Sequence, residues 1–425
     1  MREGWRMRPP SVVRAFGRAV GLPVVAVRSY WVQEAASIRA GSVALAIGLV
    51  ATVIAGVVLG SAGSRLDATP GLLALIPAAI GMRGSIFGAF GSRLATAIHT
   101  GEFRPALTRD SFLGNQVEAA ALLSAASAAL AGALAWLVSV LLGLPTVSIL
   151  HLMAISFAAA VLSSIVLFFV TISLARRSQQ HGWNMDDVGA PLITATGDLI
   201  TLPALLIASL VTDVGGVADV LGAVAIVGLV AGLWIGIRSH TPAVRRVVRE
   251  SVLVLALAVA IDVAAGAIIE SRVQEQFTHA ALLLLLPAFI ANCGSLGGML
   301  ASRLASQLHV GQLVPRLLPG RAAALDFSLT ALLATLAFSA VGFAGWFASV
   351  LVPAVTPLPL GTMMAVSLGA AVLATPLLAL TAYGAATASF RFGFDPDNHG
   401  IPIVTATMDL GGVVCLVAAI TVLVP

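Results

Sequence analysis

Of the chain's 425 residues, 59% are hydrophobic and only 10% are charged. A soluble domain carries about a quarter charged residues, so this inventory cannot clothe a water-exposed surface. The net charge of +4 comes wholly from arginine, since no lysine is present, and the arginines sit in clusters between apolar runs, a pattern of membrane topology and not of nucleic-acid binding. The two cysteines, Cys293 and Cys415, both fall in apolar runs, which argues against a disulfide framework or a zinc site.

Residues 1–40 form a basic arm with Arg2, Arg6, Arg8, Arg14, Arg18, Arg28 and Arg39, interleaved with Trp5, Phe16, Tyr30 and Trp31. The arm has no continuous apolar region and no small-residue cleavage site, so it does not read as a removable signal peptide. Two readings of it stand side by side, an amphipathic segment along the inner membrane surface or a positive topology tag. About eleven apolar runs follow, starting near Gly41, Gly71, Phe112, Val147, Pro191, Val217, Ser251, Ala280, Leu325, Leu360 and Pro402. Each is long enough to cross a bilayer as a helix, which takes about 20 residues. Without strict alternation or aromatic girdles, they predict helices and not a barrel.

The connecting arginines mark alternate loops. They occur at Arg104 and Arg109, at Arg176 and Arg177, at Arg238, Arg245, Arg246 and Arg249, at Arg316 and Arg321, and at Arg391, while the other loops hold little beyond Arg65 and Arg272. The expected protein is a multi-pass cell-membrane protein with its N-terminus in the cytoplasm and its C-terminus outside.

The chain repeats itself. Residues 77–101, PAAIGMRGSIFGAFGSRLATAIHTG, align without a gap with residues 287–311, PAFIANCGSLGGMLASRLASQLHVG. Further on, residues 186–198, DDVGAPLITATGD, match residues 397–409, DNHGIPIVTATMD. Two matched blocks at nearly one offset identify a duplication. The expected fold is an all-α polytopic membrane protein of about 11 transmembrane helices, with two five-helix repeats in parallel orientation joined by one extra helix. The divisions are an arm over 1–40, a first repeat over 41–213, a linker helix and loop over 214–250, and a second repeat over 251–425. The run from about Val217 to Ile237 has no counterpart and supplies the odd crossing that lets both repeats point the same way.

The chemistry gathers in the last helix of each repeat. Thr194 and Asp198 in the first copy correspond to Thr405 and Asp409 in the second. The threonine stands four residues, and the proline (Pro191 or Pro402) seven, before the aspartate, so all three share a helix face. A carboxylate inside a span costs about 2.5–3.5 kcal/mol even on the mild insertion scale, so Asp198 and Asp409 call for a polar cavity. Two such carboxylates facing one another repel unless a cation or a proton lies between them. Asp186, Asp395 and Asp397 stand near the cytoplasmic ends of the same helices, and each proline frees the carbonyl four residues earlier, at Asp187 or Asn398. Oxygen ligands of this kind suit hard ions such as Mg²⁺, Ca²⁺ or Mn²⁺, and because Mg²⁺ sheds its water reluctantly a wide acidic site could bind it in hydrated form.

Other features have quieter readings. Gly84, Gly88, Gly294 and Gly298 make G-x-x-x-G spacings that predict close helix packing. Arg93 and Arg303 are expected to snorkel or pair, and His99 and His309 to sit at the interface, where pH sensing is the sharper alternative. The halves differ at Asp262, opposite Thr52, at Glu118, opposite Ser328, and at Arg83, opposite Cys293. Such unmatched intramembrane charges mark coupling-ion pathways, with a structural Arg83–acid pair as the competing account.

At Pro77–Thr96 with Pro287–Ser306, and at Asp186–Asp198 with Asp395–Asp409, the sequence resembles the MgtE-type magnesium transporters and solute carrier family 41 in its duplicated form. The resemblance implies transport of divalent cations, most readily Mg²⁺ as substrate with no cofactor, between two five-helix units within one chain. It assigns ion recognition to the deep aspartates. It also implies no enzymatic reaction, and leaves open coupling to Na⁺ or H⁺. Unlike typical MgtE proteins, only 40 residues precede the first span, so gating by a preceding sensor domain is not expected. A carrier for another small cation or an organic substrate is the alternative, although aromatic residues are 6% of the chain and absent from both aspartate motifs.

Overall fold

The computed structural model describes residues 24–99, 101–108, 111–181, 185–276, 280–309, 311–352, 355–392 and 396–424. In chain order the helices are α1 (Val24–Gln33), α2 (Ala35–Ser61), the short α3 (Gly63–Ala68), α4 (Leu72–His99), α5 (Phe112–Leu141), α6 (Ile149–His181) and α7 (Met185–Thr212). They continue as α8 (Val217–Arg238), α9 (Pro242–Gln276), α10 (Ala280–His309), α11 (Arg321–Leu351), α12 (Leu360–Arg391) and α13 (Pro396–Leu423). Among the described residues no strand occurs. All but α1 and α3, 11 helices in total, are long and apolar enough to cross a membrane. A helix satisfies its own backbone, which lipid demands. Hydroxyls inside the spans do the same, Ser163 donating to the Ala159 carbonyl at 2.7 Å and Thr201 to that of Gly197 at 2.6 Å.

The two repeats are α2 with α4–α7 and α9–α13, and α8 is the unmatched helix, packed on the outer side of α5 and α6. Each repeat sends its first helix into the other. Helix α2 packs on α10 and α11 as well as on α7, and α9 packs on α4 and α5 as well as on α13. Glycine makes both crossings close. A Cβ at Gly56 of α2 would sit 2.6 Å from the Leu284 carbonyl oxygen of α10, and a Cβ at Gly266 of α9 would collide with the Ala74 carbonyl of α4. Gly56 and Gly266 are 210 residues apart, as are Ala74 and Leu284, so one contact is made twice, once by each repeat. A backbone-to-backbone approach of this kind is how membrane helices gain van der Waals contact without a hydrophobic driving force. The α9–α4 crossing is also tied by Glu270, whose carboxylate accepts the Gly71 and Ala74 amides at 2.7 and 3.0 Å. It thereby supplies acceptors to the free donors at the start of α4.

The matched glycines at the far end of the first motif stop α4 and α10. Gly101 and Gly311 hold φ of +75° and +76°. The following amides reach back five residues, Glu102 to the Ala97 carbonyl and Gln312 to that of Gln307, both at 2.9 Å. This left-handed cap is open to glycine at little cost.

The G-x-x-x-G reading of close packing does not hold at Gly84 and Gly88. A Cβ at either would meet nothing within 4 Å, and one at Gly294 would make only ordinary contact with Asp409. Instead, Ser85, Gly88 and Ser92 of α4, and Ser295, Gly298 and Ser302 of α10, form accessible stripes on two otherwise well-buried helices.

The described end of the arm is docked on the second repeat. Tyr30 of α1 donates to Asp326 of α11 at 2.6 Å, and Trp31 donates to Ser328 at 3.2 Å. Arg303 of α10 binds Asp326 at 3.1 Å and Glu34 at 2.9 Å. The equivalent position in the first repeat is simpler, with Arg93 donating to Gln116. Both arginines therefore pair, as expected. Residues 1–23 and the side chains of His99 and His309 lie outside the described residues.

Candidate ion site

Asp198 and Asp409 occupy matching positions in α7 and α13, the helices that pack on α4 and α10 of their own repeats. Asp198 is buried at 6% exposure and Asp262 of α9 at 1%, while Asp409 is partly buried. Helix α9 packs on both α4 and α13, and Asp262 and Asp409 face the same small space beside Gly81. Carboxyls so placed need a proton or a cation between them.

Glycines give this cluster its room. A Cβ at Gly81 of α4 would run into Asp262 Oδ2 and lie 3.3 Å from Asp409 Oδ2, and one at Gly294 would lie 3.5 Å from Asp409 Oδ1. Thr194 and Thr405 are partly buried one turn before the aspartates. The Thr405 hydroxyl donates to the Pro402 carbonyl at 3.1 Å, an acceptor within its own helix. Asp395 lies outside the described residues, as do the side chains of Asp186 and Asp397 in the first turns of α7 and α13. Among the described residues no three His, Cys, Asp or Glu side chains converge tightly enough to hold a bare metal ion.

Arg83 has no acid partner among the described residues. Its guanidinium is buried and donates to Ser164 Oγ at 2.7 Å and to the Ala160 carbonyl at 3.4 Å, both on α6. The Arg83–acid account is replaced by an arginine bound to hydroxyl and carbonyl. In the second repeat Cys293 fills the same position, buried against the face of α13, where a Cβ at Gly412 would lie 3.2 Å from its Sγ. Sequence reasoning flagged Asp262 as an odd charge but did not bring it to Asp409. The one signal was its register opposite Thr52, whose neighbours in the other repeat could have been mapped through the duplication.

The profile of the MgtE family, described as a divalent cation transporter, matches residues 76–208 and 286–419, one copy in each repeat. The chain belongs to the MgtE family. This MgtE-family chain is 27% identical over 381 residues to solute carrier family 41 member 2 of Xenopus laevis, covering 82% of this chain and 65% of that protein. To the human member 2 it is 26% identical over 372 residues, covering 80% and 62%. To member 3 of Rattus norvegicus it is 26% identical over 259 residues, covering 58% and 54%. The chain thus spans about half to two thirds of the length of these relatives. No solved structure matches it. The family is one of transporters and not of enzymes, and the duplicated match agrees with the two five-helix repeats.

Proposed function

We propose that this MgtE-family protein carries divalent cations, foremost Mg²⁺, across a cell membrane through a path between its two repeats within a single chain. Asp198 and Asp409 are its central recognition residues. The observation that supports the reading is a pair of duplicated aspartates at matching positions of two spans, Asp198 buried and Asp409 partly buried, in a chain whose family is described as divalent cation transporters. A hydrated ion suits such a site, because Mg²⁺ keeps several waters and binds few protein ligands directly. The accessible Ser and Gly stripes on α4 and α10 supply a polar, narrow-side-chain lining leading to it. Thr194 and Thr405 add hydroxyl oxygen one turn away, and Asp186, Asp395 and Asp397 form an acidic mouth.

On this reading the N-terminus and the arginine-rich loops are cytoplasmic and the C-terminus is outside. The divisions at 41–213, 214–250 and 251–425 are then two transport repeats and their connector, behind an arm over 1–40. Coupling to Na⁺ or H⁺ belongs to the same proposal, since a single-chain pore with unequal halves can bind a second ion on one side only.

The test is ion flux into proteoliposomes with Mg²⁺, Ca²⁺, Mn²⁺ and Co²⁺, with and without Na⁺ and pH gradients. The wild type is expected to move Mg²⁺, and the Asp198→Asn/Asp409→Asn double variant to fall to the rate of empty vesicles. Undiminished Mg²⁺ flux in that variant would sink the site.

A further inference from the structure

We propose that Asp262 is a third ion-recognition residue, contributed by the first helix of the second repeat, and that it draws the ion site away from the pseudo-two-fold axis toward that repeat. The inference rests on the reading of Asp198 and Asp409 as the ion site and deepens it.

The first observation is position. Asp262 comes from α9, which leaves its own repeat to lie on α4 and α5, yet it touches α13 as well. A Cβ at Gly81 would run into Asp262 Oδ2 and lie 3.3 Å from Asp409 Oδ2, so the two carboxyls face one small space. The second is an unsatisfied atom, since Asp262 Oδ1 is buried and has no hydrogen-bond partner among the described residues. A buried polar atom without a partner costs free energy unless something binds it. The nearby cation Arg83, two residues beyond Gly81, does not serve, because its hydrogen bonds go to α6.

The third observation is a pair of linked differences between the repeats. The residue matching Asp262 is Thr52 of α2, also buried, and the residue matching Gly81 is Ala291 of α10. The Thr52 hydroxyl donates to the Gly48 and Leu49 carbonyls at 3.0 and 3.1 Å, so it is spent inside its own helix. Ala291 already carries the methyl for which there is no room at Gly81. One repeat therefore has a short, self-satisfied side chain and an alanine, while the other has a carboxylate with a free oxygen and the glycine that makes space for it. An ion between Asp198 and Asp409 meets two carboxylates from the second repeat and one from the first. The excess negative charge on one side holds a divalent ion more strongly than the symmetric pair would. The lack of a tight triad of ligands means that at least one of the three acts through water.

Mg²⁺ binding to the purified full chain in detergent, measured by calorimetry, separates the possibilities. Asp262→Asn removes the charge and keeps the shape of the side chain. Its Kd for Mg²⁺ is expected to weaken by at least about tenfold, the lower end of what lost metal-site partners cost. Its thermal midpoint without Mg²⁺ should stay at the wild-type value, and the rise in midpoint on adding Mg²⁺ should shrink. Gly81→Ala, whose methyl collides with the Asp262 carboxyl and stays 3.3 Å from Asp409 Oδ2, is expected to weaken binding similarly, and Asp262→Thr, the side chain at the matching Thr52, replaces the Asp262→Asn variant if that variant fails to fold. Wild-type affinity in Asp262→Asn alongside lost binding in Asp409→Asn would overturn the third residue and leave the aspartate pair standing. Unchanged affinity in Asp409→Asn and Asp198→Asn as well would instead overturn the underlying site.

Discussion

Arg83 shows how a single residue can be buried at full charge without an opposite charge beside it. A guanidinium presents five donors in a fixed fork, and leaving them unmade in a low-dielectric interior is costly. Two acceptors on α6, the Ser164 hydroxyl and the Ala160 carbonyl, meet one of its terminal nitrogens, while Nη2 has no partner among the described residues. Ser164 is therefore expected to matter more than an intramembrane serine usually does. Ser164→Ala should cost about 1–3 kcal/mol, the range for stranding a buried donor. A lowered thermal midpoint in detergent would register the loss, and Ser164→Thr, which keeps the hydroxyl, should recover most of it. An unchanged midpoint for Ser164→Ala would mean that the Ala160 carbonyl or water suffices. The presence of Arg83 was plain in the sequence, but its partner was not, because a serine in an apolar run carries no mark of whom it faces.

At the scale of elements, the docking of α1 onto α10 and α11 is the feature least visible in the sequence. Tyr30 and Glu34 read as part of a basic arm, and only the fold brings them to Arg303 and Asp326, nearly 300 positions away along the chain. Burial, followed by the hydrogen bond to Asp326, pushes the Tyr30 phenol from its ordinary 10.0 up to about 12. Burial works against ionisation of Glu34 too, yet hydrogen bonds from Ser37 and Arg303 hold its carboxyl below the ordinary 4.5. The signs follow from linkage. The raised phenol contributes stability that is complete below pH 10.0 and is lost as the pH climbs through about 12. The lowered carboxyl contributes stability present above pH 4.5 and lost as the pH falls below it. Docking of α1 should thus be constant across the neutral range and loosen at both extremes. Spin labels placed on α1 and α11 would report the separation, and Tyr30→Phe should remove the alkaline limb while leaving the acid limb in place. An alkaline limb that persists in Tyr30→Phe would assign it to another group.

For the whole molecule, most of the plan was legible because duplication prints it twice. Eleven spans, the unmatched α8 and the matched aspartates follow from apolar runs and self-alignment. What could not be read was which repeat each first helix joins, since Gly56 and Gly266 look like ordinary small residues in apolar runs until their facing carbonyls are known. The same gap hid Asp262 from Asp409, because the sequence does not say which face of α9 meets α13. This exchange of helices has a mechanical consequence. If α2 belongs to the second repeat's surface and α9 to the first's, neither repeat is a self-sufficient body, and the covalent link between them is less important than the crossings. Cutting the chain at the exposed His240, between α8 and α9, should leave two halves that still assemble. Co-expressed residues 1–240 and 241–425 are expected to co-purify as an equimolar complex with Mg²⁺ flux close to that of the intact chain. Either half alone should be poorly folded in detergent, because it lacks the helix that covers its second span. Gly266→Leu, which wedges a large side chain against the Ala74 backbone, should then abolish co-purification of the halves while the intact, linked chain is only destabilised. Halves that fold and remain monomeric on their own would show the repeats to be independent bodies, and would count against the crossings as the source of assembly.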